Sequence, residues 1–176
     1  LSGKDGKLYA AGAKSSNYSL LIRTFDGSTW TTILNESQIL AHEEYDIVFR
    51  DSTLSIGYRD YSSYDVIIDS WDGLNWSEIG RFTSTNYASV KMRSFGSNLI
   101  LAHSIATGTA SFKAYIENRW VLLEDSIITS GLSFDVDDYG TMPYNTHTII
   151  FYLRKDKSLK GGNLLYLDKT LPDNYD

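Results

Sequence analysis

The sequence predicts an all-β chain, a β-propeller or propeller fragment of about four blades, each a four-stranded antiparallel sheet. Three observations predict this. Trp30, Trp76 and Trp120 recur 46 and 44 positions apart, each a few residues after an acid: Asp26, Asp72 and Glu117. A second landmark, Leu8, Leu54 and Leu99, keeps the same frame at intervals of 46 and 45. A self-similarity period in the forties, with Asp-Gly ahead of an aromatic, marks a propeller blade or related sheet repeat. Composition is the third: 13 Tyr, 7 Phe and 4 Trp against only 2 Pro, with 13 Gly spread among turn positions, suit many short strands.

The middle repeat defines the order of elements. Residues 45–50 read as a first strand and 51–53 as a tight turn. A second strand follows at 54–59, then a polar loop at 60–63 and a third strand at 64–71. The turn at Asp72 and Gly73 leads into a fourth strand at 75–79. Asp-Gly between apolar runs is a hairpin signal, because both residues tolerate the positive φ such turns use. The next repeat follows suit, with strands at 88–93, 98–103, 111–116 and 119–123 and turns at Gly96 and around Thr107. A fourth copy is expected at 146–154 and 162–167. In this frame the chain starts at a second strand, residues 7–13, and stops near a third. The expected object is therefore about three and a half blades with open sheet edges, a pairing hazard unless covered. It reads as a segment of a longer chain, or as a ring completed by another chain or chain segment. Residues 35–44, rich in helix formers, are expected to hold a helical turn between blades.

The 176 residues suffice for a single domain, residues 1–176, and no linker-like stretch divides them. No apolar run approaches the roughly 20 residues of a membrane-spanning helix, so no membrane insertion is expected. The chain has no cysteine, and its net charge of −6 comes with no concentrated basic cluster, which speaks against nucleic acid. Three Asn-x-Ser triplets, at Asn17, Asn35 and Asn75, carry no inference.

The turns before the tryptophans resemble the Asp-box of sialidase-like propellers, Ser-x-Asp-x-Gly-x-Thr-Trp. Thr24, Asp26, Gly27, Thr29 and Trp30 match with one residue deleted between Asp and Gly. Ser70, Asp72, Gly73 and Trp76 match in the same way, with Asn75 in place of Thr, and the third copy keeps only Glu117 and Trp120. The resemblance covers these short turns. It implies a folding staple, in which the Asp accepts turn N–H groups and the Trp packs between blades, and it carries over no catalytic residue. The family's enzymes need an arginine triad and a Tyr–Glu pair; Arg50, Arg59 and Arg93 are the arginines near inner strands, and the Arg-Ile-Pro segment is missing.

Other chemistry has little support. His42, His103 and His147 fall in different repeats without metal-ligand spacing. Asp135 and Asp137 share one face if their segment is a strand, and read as solvated acids beside a turn rather than a calcium loop. Neither a Gly-x-Ser-x-Gly elbow nor a phosphate-binding glycine loop occurs. Asp46, Asp65 and Asp69 are the strand acids to weigh as a carboxylate pair. No cofactor, metal or catalytic residue is assigned.

The loops are more informative. Connections between second and third strands, and between one blade and the next, line one face of a propeller. They contain Tyr18, then Arg59, Asp60, Tyr61 and Tyr64, then Asn86 and Tyr87. Tyr, Ser, Asn and Arg combine rigid amphipathic rings with small hydrogen-bonding neighbours, as adaptable recognition surfaces do. These seven residues are the expected ligand contacts. The expected function is a non-catalytic recognition module for glycans or a cell-surface polymer, of the surface or phage receptor-binding type, placed outside the cell or on a virion or cell surface. The alternative is a shortened sialidase-like glycoside hydrolase domain.

Overall fold

The computed structural model describes residues 2–13, 17–84, 89–95, 98–106, 109–128, 133–137, 149–154 and 163–167. All regular structure among them is β. The strands are β1 (Ser2–Lys4), β2 (Lys7–Ala13), β3 (Ser19–Phe25), β4 (Trp30–Arg50), β5 (Thr53–Asp60), β6 (Val66–Trp71) and β7 (Trp76–Phe82). They continue as β8 (Val90–Phe95), β9 (Asn98–Ala106), β10 (Thr109–Ile116), β11 (Arg119–Ile128), β12 (Ser133–Asp137), β13 (Ile149–Arg154) and β14 (Asn163–Leu167). Every pairing is antiparallel between neighbours in sequence, in sheets β1 to β7, β8 to β11 and β12 to β14.

Two expectations are corrected. Residues 35–44 hold no helical turn. They lie inside β4, whose first half pairs with β3 (Leu21 opposite Asn35, Ser19 opposite Leu40) and whose second half pairs with β5 (Ala41 opposite Asp60, Tyr45 opposite Tyr58). One strand thus closes the first blade and opens the second. A lone helical turn is too short to be stable alone, whereas the extended backbone finds ladder partners on both blades. The chain also does not begin at a second strand. β1 pairs with β2 through a two-residue turn, Asp5 at φ 50 and Gly6 at φ 74, so the first blade has four strands. This is the Asp-Gly hairpin in its two-residue form. The final unit comprises β12, β13 and β14 among the described residues, and residues 168–176, where the expectation of a missing last strand falls, lie outside them.

The turns before Trp30 and Trp76 are longer than two residues. Phe25 pairs with Trp30 and Trp71 with Trp76, leaving four-residue loops in which Gly27 (φ 101) and Gly73 (φ 105) alone take positive φ. Asp26 Oδ1 accepts the N–H of Ser28 at 2.9 Å, the Ser28 hydroxyl at 2.8 Å and the N–H of Thr29 at 2.8 Å. Asp72 Oδ1 accepts the N–H groups of Leu74 at 2.8 Å and Asn75 at 2.7 Å. The third copy uses a tight turn instead, Glu117 (φ 48) and Asn118 (φ 61) between Ile116 and Arg119.

The fourth strand of each of the first three blades carries a further repeat that the sequence did not suggest. Ile22 pairs with Leu34 and Arg23 with Thr32; Ile68 pairs with Gly80 and Asp69 with Glu78; Phe112 pairs with Glu124 and Lys113 with Leu122. Each register shift leaves one residue unpaired: Ile33, Ile79 and Leu123, the third after each landmark Trp. A bulge frees a backbone group from the ladder and bends the strand. In the second blade that group is used: Trp120 Nε1–H donates to the Ile79 carbonyl at 2.6 Å. Gly80 makes room, since a Cβ there would collide with Trp120 Nε1 and lie 2.9 Å from its Cε2.

The core lies in the seams between blades. Leu20, Ile22 and Leu34 of the first blade meet Ile47, Leu54, Ile56, Tyr58 and Ile67 of the second, with Trp71 and Trp76 packed on the cluster. Val66 and Ile68 of the second blade meet Val90, Met92, Leu99, Leu101 and Tyr115 of the third, with Ile79, Phe82 and Trp120 alongside. Period-2 alternation sends Ile67 to one seam and Ile68 to the other. β4 packs on β8 and β8 on β12, as inner strands of successive blades do. Asp46 ties two of them together, accepting the Met92 N–H at 2.9 Å and pairing with Arg93 at 3.3 Å.

Candidate functional site

The connections from second to third strand in the first two blades meet. There the rings of Tyr18, ahead of β3, and Tyr61, between β5 and β6, stack with centroids 4.6 Å apart and planes 15° from parallel. They belong to different blades, so the stack bridges the first seam. Tyr61 is 42% and Tyr64 37% exposed. Tyr18 (φ 56) and Tyr64 (φ 63) occupy equivalent places in successive repeats, each just before its third strand, and both hold the left-handed backbone conformation. Bulky residues rarely do so, and such positions gather at ligand-binding and active sites.

The loop carrying Tyr61 and Tyr64 is held from below. The Asp60 carboxylate accepts the Ser62 hydroxyl at 2.6 Å, and the Ser63 N–H and hydroxyl at 2.8 Å each. The Asp60 carbonyl accepts the Tyr64 N–H at 3.0 Å, and the Asp60 N–H donates to the Asp65 carbonyl at 2.9 Å. Burial alone would raise the Asp60 pKa; the hydrogen bonds from Ser62 and Ser63 outweigh it and hold it below its ordinary value. Arg59 is 2% exposed, with its guanidinium 5.6 Å from the centroid of the Tyr64 ring. The expected ligand contacts therefore separate into two kinds. Tyr61 and Tyr64 present rings to solvent, while Arg59 and Asp60 build the loop. Asn86 and Tyr87 lie outside the described residues.

An ion-pair chain adjoins Tyr64. Arg81 lies 3.6 Å from Asp65 and 2.6 Å from Glu78, with about half of its side chain exposed. The hydrogen bond to Glu78 is the main reason the Arg81 pKa is raised. Asp65 is among the strand acids of the sequence reading, and Glu78 and Arg81 are its partners in this chain of charges. What joins them is the pairing of β6 with β7, which sets Ile67 opposite Arg81, and no spacing in the sequence announces it.

The remaining candidates do not converge. The Arg50 guanidinium stands 4.8 Å from the Tyr115 ring centroid, Arg59 lies under Tyr64, and Arg93 bonds Asp46 and the Met92 carbonyl. Asp46 serves that inter-blade tie, Asp65 pairs with Arg81, and Asp69 accepts the Tyr58 hydroxyl at 3.0 Å. Burial, then the Asp69 charge, pushes the Tyr58 phenol far up, so it stays a neutral donor. His103 is buried, with its ring against Phe82. Asp135 and Asp137 do lie in a strand, β12. His147 and the side chains of His42, Asp135 and Asp137 lie outside what is described. Among the described residues no group of three or more His, Asp or Glu is placed to hold a metal, and no helix is long and apolar enough to cross a membrane.

Two solved structures share this architecture. One is a mutant of the lectin of Aleuria aurantia in complex with Fucα1-6GlcNAc, with TM-score 0.62 and 14% identity over 85% of this chain and 55% of that one. The other is the fucose-specific lectin from Aleuria aurantia in a mercury-derivative form, with TM-score 0.60 and 15% identity over 96% of this chain and 63% of that one. The fold is a β-propeller fold. At this identity the likeness establishes the fold alone, and the chain spans somewhat over half the length of the lectin chains. No family model and no curated protein sequence matches it.

Proposed function

We propose that this chain is a non-catalytic carbohydrate-recognition module that binds fucose-bearing glycans through the loop end carrying Tyr61 and Tyr64. The observation that carries the reading is the inequality of two equivalent tyrosines. Tyr18 has its ring face covered by Tyr61 of the next blade. Tyr64, 46 positions on and in the same backbone conformation, is 37% exposed above the Arg59 guanidinium. Tyr64 offers a rigid platform for the C–H face of a sugar ring, and Asp65, Arg81 and Glu78 offer the charged partners that sugar hydroxyls bond. The two structurally similar lectins, one fucose-specific and one holding a fucosylated disaccharide, support this choice of ligand. A position on a cell or virion surface, receptor binding and an Asp-box-like origin for the Asp26 and Asp72 turns belong to the same proposal.

The test is a glycan array followed by fluorescence titration with a fucosyl disaccharide. Tyr64→Ala is expected to weaken binding about tenfold or more, roughly 1.4 kcal/mol, while Leu74→Ala, on the distant β6–β7 turn, leaves it unchanged. Wild-type protein that binds no fucosylated glycan refutes the ligand assignment. Release of fluorophore from sialyl or fucosyl substrates by the pure protein would favour the hydrolase reading instead.

A further inference from the structure

The two described seams are built alike. Leu20 and Ile22 meet Ile47, Leu54 and Ile56 in the first; Val66 and Ile68 meet Met92, Leu99 and Leu101 in the second, each 45 or 46 positions after its counterpart. Tyr18 and Tyr64 are counterparts in the same frame, ten residues after Leu8 and Leu54, and share the left-handed backbone conformation. What the following blade brings to each of them differs. To Tyr18 the second blade brings Tyr61, seven residues after Leu54, with the two rings stacked. Seven residues after Leu99 stands Ala106, exposed, at the end of β9. A methyl side chain has no ring to lay on Tyr64, which stays 37% exposed.

The connections that carry these two residues differ in the same sense. Five residues link β5 to β6, and the Asp60 carboxylate pins that loop through Ser62 and Ser63, directly beyond Tyr61. Ala106 pairs with Thr109, so only two residues link β9 to β10 and no long loop leans back toward the second blade. The third blade also brings no platform of its own at this place, since residues 107–109 read Thr-Gly-Thr.

We propose that the residue seven places after the landmark Leu sets whether the tyrosine of the preceding blade is available to ligand. Tyr61 closes the platform at Tyr18, and Ala106 leaves the one at Tyr64 open. Ala106 is thus a specificity-determining position that touches no part of the Tyr64 loop by hydrogen bond, and Tyr61 limits how many sugars the described blades hold. The claim rests on the reading of Tyr64 as a sugar platform, and it adds the residues that decide where such a platform is usable.

Tyrosine nitration by tetranitromethane, mapped by peptide mass, reads the cover without any sugar. In the wild type Tyr64 is expected to react several-fold faster than Tyr18. Tyr61→Ala should bring Tyr18 up toward the rate of Tyr64, and Ala106→Tyr should slow Tyr64, while Ala106→Ser changes neither. Tyr61 and Ala106 are both exposed, so all three variants should keep the circular dichroism of the wild type. Calorimetric titration with a fucosyl disaccharide reads the consequence. Ala106→Tyr is expected to bind about tenfold more weakly or worse, and Tyr61→Ala to bind one more disaccharide per chain than the wild type. Unchanged nitration in Tyr61→Ala and Ala106→Tyr overturns the proposal, as does wild-type affinity in Ala106→Tyr or wild-type stoichiometry in Tyr61→Ala. A wild type that binds no fucosylated probe, with nitration shifting as expected, upholds the covering roles and refutes the choice of ligand instead.

Discussion

At the residue scale, two aspartates and one glycine do work that no apolar pattern reveals. The Asp26 carboxylate is held by the Thr29 N–H first, then by the Ser28 N–H and hydroxyl, and its pKa falls from 3.8 to about 2. Asp72 is lowered by the N–H groups of Asn75 and Leu74. A depressed carboxylate stabilises the fold above its unfolded value and loses that contribution as pH falls through the folded value. Urea midpoints should therefore drop between about pH 4 and pH 2, and the drop should shrink in Asp26→Asn and Asp72→Asn, which have no charge to lose in that window. An unchanged drop in the double variant would show that other carboxylates carry the acid sensitivity. Gly80 acts through space rather than charge. A methyl group there meets the Trp120 indole, so Gly80→Ala should cost about 1–3 kcal/mol by overpacking. Gly12→Ala, where nothing lies within 4 Å of the new Cβ, should cost far less in the same denaturant titration.

At the scale of the element, the bulged fourth strand is the repeated device. Ile33, Ile79 and Leu123 are each skipped by the ladder three residues after a landmark Trp. In the second blade the bulge is coupled to the neighbouring blade through an indole hydrogen bond. In the first seam Leu34 stands where Gly80 stands in the second, and the buried Trp76 Nε1 meets no acceptor among the described residues. Identical landmarks thus produce seams of unequal polarity. Trp76 still stacks on Trp71 at 6.0 Å and packs on the first core cluster. Trp76→Ala is expected to lower stability by about 3–5 kcal/mol, against less than about 0.5 kcal/mol for Leu74→Ala on the exposed turn. A loss under about 1 kcal/mol for Trp76→Ala would remove the indole from the structural core. β4 shows where local reading fails: residues 35–44 resemble a helical turn in composition, yet the ladders of two blades claim them as one strand.

At the scale of the whole molecule, the Trp and Leu periods made the blade repeat, strand order and most turns legible, because each repeat is a hairpin series whose alternation shows in the sequence. The loop end was legible too: Tyr18, Tyr61 and Tyr64 do gather there. Sequence could not reveal that Arg59 is buried under Tyr64, that Asp60 is spent on Ser62 and Ser63, or that Arg81 links Asp65 to Glu78. Nor could it separate Trp30 from Trp76, since the same short motif lies in the open at one blade and in a seam at the next. The sequence by itself determined the kind of object, its blade order and the aromatic character of its loops, because these follow from patterns of period two and a period near 45 within each repeat. Only the tertiary structure decided which rings face solvent, which acids are paired and which landmark side chains lie in a seam. Those depend on contacts between blades, and the residues that meet there stand far apart in the chain.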